Sequence, residues 1–191
     1  VYKRQIIISS LFTLLVSVPF LPALTTISQR MATGIDSFAL LAIPFFILSG
    51  ELMNKGGVAH RLVAFAKALV GFLPGGLALI NVISAMLMGS VAGSAMASAS
   101  AMGSILGPEM EKEGYSKGFG VAINITSATT GLVIPPSNIL IVYSLASGGA
   151  SIAALFLAGY IPGILTGLFL MAVAMIWAKK KNFKTVLIPR F

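Results

Sequence analysis

The sequence predicts an all-α membrane protein of several spans, containing a helical hairpin that enters and leaves the bilayer on one side and a helix broken near mid-membrane. Three observations predict it. Hydrophobic residues make up 57% of the 191 residues and charged residues only 9%, where soluble domains carry about 25% charged, and mean hydropathy is +0.98. No charged residue lies between Lys67 and Glu109, or between Lys117 and Lys179, and each block exceeds the ~20 apolar residues that one spanning helix needs. Finally, residues 84–104 read SAMLMGSVAGSAMASASAMGS, in which 15 of 21 residues are Gly, Ala or Ser. Small side chains let backbones approach closely, and hydroxyls with freed carbonyls can surround an ion at membrane depth.

Taken in order, residues 1–53 read as two scaffold spans behind an N-terminus that is incomplete, since VYKRQ opens without Met. The first, residues 6–27, holds Pro19 and Pro22 and is expected to kink or break near its end. No small-residue cleavage site follows it, so it is not read as a signal peptide. Gln29, Arg30 and Asp36 mark a polar connection. The second span, residues 37–53, is interrupted by Pro44, with Glu51 at the interface.

Residues 54–75 form an amphipathic arm lying in the membrane surface, with Val58, Leu62, Val63, Phe65, Ala66, Leu69 and Val70 on its apolar face and His60, Arg61 and Lys67 on its polar one. Pro74, Gly75 and Gly76 end it. Residues 76–110 form the re-entrant hairpin, which emerges at Gly107, Pro108 and Glu109. Residues 117–147 form the broken helix: Pro135 and Pro136 remove two amide donors, and the residue before each is pushed out of helical geometry. Such backbone survives in a membrane only when buried in protein or facing a watery cavity. Residues 152–180 make a last span, anchored by Trp177 beside Lys179, Lys180 and Lys181, and residues 181–191 a cytoplasmic tail or linker.

Charge supports the hairpin. With the N-terminus cytoplasmic and residues 76–110 re-entrant, twelve of the thirteen Lys and Arg residues fall inside and Arg30 alone outside. If that stretch crossed once, five would lie inside and eight outside. The net charge of +8 therefore belongs to short clusters between spans, and nucleic acid is excluded as a partner. The absence of cysteine excludes disulfides and thiolate metal sites.

The order IDSFALLAIPFFILSGELMNKGG, GSVAGSAMASASAMGSILGPEM, GYSKGF and TTGLVIPPSNILIVY resembles the large membrane subunit of the tripartite ATP-independent periplasmic (TRAP) transporters, over roughly residues 26–183. The resemblance implies a multi-pass inner-membrane importer of the elevator type, driven by sodium. It implies a periplasmic substrate-binding protein and a smaller membrane subunit as partners, and small organic acids such as C4-dicarboxylates or sialic acid as substrates. The family's large subunit has two inverted repeats, and this chain matches the first. Two departures stand out: many members carry an acidic residue where Ser98 stands and Gly-Pro where Gly131 and Leu132 stand, which leaves the unwinding to Pro135 and Pro136.

Sodium prefers oxygen ligands. On this reading Gly93, Ser94 and Ser98 of the hairpin face Thr129, Thr130 and Gly131 around it, while Ser90, Pro135, Pro136, Ser137 and Asn138 face the substrate carboxylate. Close packing is the competing role for each serine, and interhelical hydrogen bonding for Asn124. A divalent-anion sodium symporter shares the hairpin design and is the alternative transporter. A non-transporting scaffold explains the small residues but not the double-proline break. An intramembrane serine protease needs a base near Ser94 or Ser98, and the single histidine, His60, sits on the surface arm, so an enzyme is not expected.

Overall fold

The computed structural model describes residues 2–35, 38–181 and 183. The expectations for Asp36, for Ser37 as the start of a span, and for the tail at Asn182 and residues 184–191 lie outside them. Among the described residues there are nine helices and no strand. The chain divides into two compact units, Val1–Leu41 and Ala42–Phe191.

In the first unit, α1 (Tyr2–Ser17) and α2 (Phe20–Ile35) are separated at Val18 and Pro19. The break expected within residues 6–27 falls at the first of the two prolines, Pro19, whereas α2 runs straight through Gln29 and Arg30, where a connection was expected. Position explains it. The first turn of α2 is closed by Ala23 N donating to Pro19 O at 3.0 Å, so Pro22 precedes the first required amide and leaves the helix intact. Gln29 and Arg30 are exposed, and a solvated helix face accepts them without a break. Ala23 is the one described side chain buried in this unit, while Phe12 is 68% and Leu21 74% exposed. Apolar surface of this extent marks contact with lipid or protein.

The second unit contains most of α3 (Phe38–Lys55), then α4 (Val58–Val70), α5 (Gly76–Ala92), α6 (Ala95–Lys112), α7 (Lys117–Thr130), α8 (Asn138–Ala146) and α9 (Ile152–Lys181). Pro44 does not interrupt α3, and α6 continues across Pro108 to Lys112, two residues beyond the expected end of the hairpin. One missing amide in a helix otherwise fully bonded is tolerated at the loss of a single bond.

The core is organised around α5. Its sequence is apolar on every side, and such a helix is buried on every side: Leu77, Leu79, Ile80, Val82 and Met88 are all within 2% of full burial. Around it pack Ala59, Val63 and Ala66 of α4, Met102, Leu106 and Met110 of α6, Ile123 of α7 and Ala174 of α9. On the arm α4, Phe65 and Leu69 of the expected apolar face are 53% and 48% exposed. Its packed stripe is Ala59, Val63 and Ala66, whose small side chains allow a closer approach to α5 than Phe65 would. Lys67 Nζ donates to Glu109 of α6 at 2.8 Å, a half-exposed pair that ties the arm to the end of the hairpin.

Helix α9, 30 residues long, is the one helix among those described that is both long and apolar enough to cross a membrane by itself. One face carries exposed Leu157, Ile161, Phe169 and Val173, and the opposite face buried Gly159, Gly163, Gly167, Ala174 and Ala178. Those small residues have partners: Gly159 and Gly163 lie against Val133 and Ile134 of the loop between α7 and α8, and Gly167 against Met86 of α5. The unwound segment is thus sealed by a helix whose side chains have been reduced to let it in.

Candidate functional site

Helices α5 and α6 fold back on each other as a hairpin. The turn is two residues. Gly93 adopts the left-handed conformation (φ 59°) and closes α5 by donating its amide to Gly89 O at 2.7 Å. Ser94 is extended and caps α6, its Oγ accepting from Ala97 N at 3.4 Å. The pairing is fixed further in by Ser98, fully buried, whose hydroxyl donates to Ala85 O at 2.9 Å. Residues 84–104 are therefore two helices and a turn, not one rod.

The facing element unwinds where the prolines require. Helix α7 ends at Thr130, the chain passes through three turn residues into Ile134, Pro135 and Pro136, and α8 begins at Asn138. Ser137 caps it, its Oγ accepting from Leu140 N at 3.4 Å, and ties it to the loop by donating its hydroxyl to Leu132 O. The carbonyls of Thr129 and Thr130 accept from Leu132, Val133 and Ile134, so the break begins as a tightened last turn.

Tip and break meet. A Cβ built on Gly93 would lie 3.1 Å from Pro136 O and 3.4 Å from the Asn138 amide group. One turn earlier, Gly89 and Gly131 touch backbone to backbone, so that a Cβ on either would strike the other's Cα. The N-termini of α6 and α8 and the C-termini of α5 and α7 thus all end in this region, helix ends of both polarities. Asn138 Oδ1 is buried there with no hydrogen-bond partner.

The remaining expected residues divide by what their hydroxyls do. Thr130 is buried and donates to Ser127 O at 2.5 Å; Thr129 is exposed and donates to Thr126 O at 2.7 Å; Ser90 is half-buried and donates to Leu87 O at 2.7 Å. Each donates its proton and keeps its lone pairs. Ser98 faces α5 within the hairpin. Sequence reasoning missed Gly50 and Asn54 as neighbours of the tip and gave Glu51 only an interfacial place. Gly50 of α3 lies against Ala92, and Glu51 and Asn54 line a cleft of about 370 Å³ together with Ser94 and Ala97. The signal was the spacing of Ile47, Gly50, Glu51 and Asn54, which fall on one side of α3. Deeper in, Ser127 donates to Asn81 Oδ1 at 3.0 Å and Asn124 Nδ2 to Ala99 O at 2.8 Å, joining α7 to both arms of the hairpin.

The sequence profile of the DctM component of the tripartite ATP-independent periplasmic transporters matches residues 3–188. The chain belongs to this family. It is 58% identical over 176 residues to the uncharacterized protein YgiK of Salmonella typhimurium, covering 92% of this chain and 40% of that one. It is 41% identical to the C4-dicarboxylate TRAP transporter large permease protein DctM of Pseudomonas aeruginosa, over 77% of this chain and 34% of the relative. To the sialic acid TRAP transporter large permease protein SiaM of Vibrio cholerae it is 40% identical, over 83% and 37%. The chain spans 40% or less of the length of these relatives. Membership in the DctM family makes it part of a membrane transport subunit and not an enzyme.

Proposed function

We propose that this DctM-family chain is the first of two inverted repeats in a sodium-coupled, elevator-type importer of the bacterial inner membrane. The importer takes organic acids of the C4-dicarboxylate or sialic-acid class from a periplasmic substrate-binding protein and works beside a smaller membrane subunit. The observation that carries the reading is the meeting of Gly93 with Pro136 and Asn138, where a buried Asn138 oxygen has no partner.

The residues present fit a cation. No group of three or more His, Cys, Asp or Glu side chains gathers among the described residues, so the donors here are neutral carbonyl, amide and hydroxyl oxygens, which suit a hard monovalent ion. Gly93, Ser94, Ser98, Thr129, Thr130 and Gly131 are assigned to sodium. Ser90, Pro135, Pro136, Ser137 and Asn138 are assigned to the substrate carboxylate. When bound, sodium supplies positive charge beside that carboxylate. The N-termini of α6 and α8 add their own partial positive charge. Hairpin and broken helix are expected to move as one block, because Asn81–Ser127, Asn124–Ala99 and the Gly89–Gly131 contact tie them together.

The re-entrant reading of the hairpin rests on length as well as charge. Helix α5 has 17 residues, about 26 Å of helix, and the uncharged part of α6 is shorter, against a hydrocarbon core of ~30 Å. Neither arm reaches across. A cysteine introduced at Glu111 of the full-length protein is expected to react with an impermeant thiol reagent from the cytoplasmic side; labelling from the periplasm overturns the hairpin topology.

Uptake by the full-length protein with its partners, titrated with sodium, tests the coupling. Ser94→Ala and Thr129→Ala are each expected to raise the sodium concentration for half-maximal uptake by about threefold to tenfold, the loss of one oxygen ligand. An unchanged sodium response removes them from the site, and uptake indifferent to sodium ends the reading.

A further inference from the structure

Helix α3 rests on the packed part of the second unit at one point. Of residues 42–55, Gly50 alone is buried, whereas Phe45, Leu48 and Leu52 are 68%, 55% and 62% exposed. Its neighbour is the tip of the hairpin. A Cβ built on Gly50 would lie 3.1 Å from Ala92 Cα and 3.2 Å from Ala92 Cβ, and Ala92 is the last residue of α5 before the turn at Gly93 and Ser94. Two of the smallest residues meet there, and among the described residues no hydrogen bond or ion pair joins α3 to α5 or α6. The cleft that Glu51 and Asn54 share with Ser94 and Ala97 opens beside the contact.

The other attachments of the hairpin are of a different kind. Towards α7 it is held by the Asn81–Ser127 and Asn124–Ala99 hydrogen bonds and by the backbone contact of Gly89 with Gly131. Towards α4 it is held by buried Ala59, Val63 and Ala66 and by the Lys67–Glu109 pair. Parting those surfaces would strand donors and acceptors without partners, a cost that a meeting of two small apolar surfaces does not carry. Between the loosely held helix and the firmly held one stand Gly56 and Gly57. Gly57 adopts φ 77° with nothing within 4 Å of its Cβ, so glycine there serves backbone conformation and not packing. Residues at the ends of elements are where large φ/ψ changes are absorbed when one body moves against another.

We propose that Gly50 of α3 is a seat from which the hairpin tip departs and to which it returns in each transport cycle, the chain turning at Gly56 and Gly57. The inference rests on the elevator reading and adds which surfaces part and which stay together. The hairpin, α4 and the broken helix move as one, and α3 stays behind. Departure widens the cleft already present and uncovers Ser94 from the side of α3. The seat has room for a glycine because a larger side chain would hold the tip away from it.

The test joins the seat to the tip with Gly50→Cys and Ala92→Cys in the full-length transporter, freed of other cysteines and reconstituted with its partners. The 3.2 Å between the two Cβ positions is a few tenths short of the about 3.5–4.5 Å of a disulfide, and α3, packed nowhere else in this unit, can yield that much. Oxidation with copper phenanthroline is expected to form the disulfide and to lower uptake about tenfold or more, with full recovery on reduction. Binding of sodium, read as the rise in melting temperature it causes, should survive oxidation, since Gly93 and Asn138 are untouched. Each single cysteine variant, treated alike, should keep its uptake. If cysteine at Gly50 prevents folding, Asn54→Cys with Ala97→Cys, bridged across the cleft by a short bismaleimide, gives the same readings. Failure of both pairs to link means the tip never rests on α3, and a linked protein that transports at the parent rate means the contact never parts; each overturns the seat. Loss of sodium binding on linking overturns it too, because the seat then shapes the site itself. In the second of these cases sodium-driven uptake persists and the transporter reading stands, whereas uptake indifferent to sodium in the parent protein removes that reading whatever the disulfide does.

Discussion

Replacing Gly89 by alanine is expected to destabilise the second unit by about 1–3 kcal/mol, the cost of forcing a methyl group into a packed interface. The Cβ has no room, because it would strike the backbone of Gly131 at the end of the facing helix. Backbone, unlike the end of a flexible side chain, cannot swing aside. Gly131→Ala should cost a similar amount for the mirror-image reason. The double variant should cost less than the two together, since the helices once separated accommodate both methyls. Gly118→Ala is the control: it lies in α7 with nothing within 4 Å of its Cβ, and alanine there should be neutral or stabilising by about 0.5–1 kcal/mol. Thermal unfolding of the purified full-length protein in detergent reads all four. Equal melting of Gly89→Ala and the parent protein would contradict the close approach on which the placement of the break depends.

That contact also marks how far the sequence was legible. Local chemistry showed itself: two consecutive prolines ended a helix at the position expected, and a glycine followed by a serine in a run of small residues made the turn between α5 and α6. Pairings between distant segments were harder. Gly89 and Gly131 look like two unremarkable glycines until the fold sets one on the other, and the glycine face of α9 acquires its meaning only from Val133 and Ile134 beneath it. Where polarity alone was the signal it misled, since Gln29 and Arg30 ride on an exposed helix face as comfortably as in a loop. Proline was overread at Pro44, which lies inside a continuous helix as Pro108 and Pro162 do, each one amide among many, whereas Pro135 and Pro136 act in succession. Within the candidate site, residue types pointed to the two elements but not to which oxygens are free. Thr129, Thr130 and Ser98 donate their protons to nearby carbonyls, and the oxygen left without any partner at the break is that of Asn138.

Asn138→Leu should therefore act in opposite directions on stability and on transport. Leucine has nearly the shape of asparagine and no polar atoms, so it removes a buried oxygen that the protein leaves unpaired, and unfolding should be unchanged or shifted to higher temperature. The helix is unaffected in its start, because the cap of α8 is Ser137 and not Asn138. Uptake should fall about tenfold or more, with the sodium requirement rising, if that oxygen faces ion or substrate beside Gly93. A residue kept for packing would show the reverse pattern, with lower stability and transport falling only in proportion. Gly93→Val provides the matching change on the hairpin: a β-branched residue is strained at φ 59°, and its Cβ would press on Pro136 O and the Asn138 amide. Tip and break would then be pushed apart, and uptake should be lost even where the protein still folds. Transport lost with stability kept or gained at Asn138, against stability lost at Gly89, is the contrast that separates an oxygen held in reserve for a ligand from a glycine held in reserve for a neighbour.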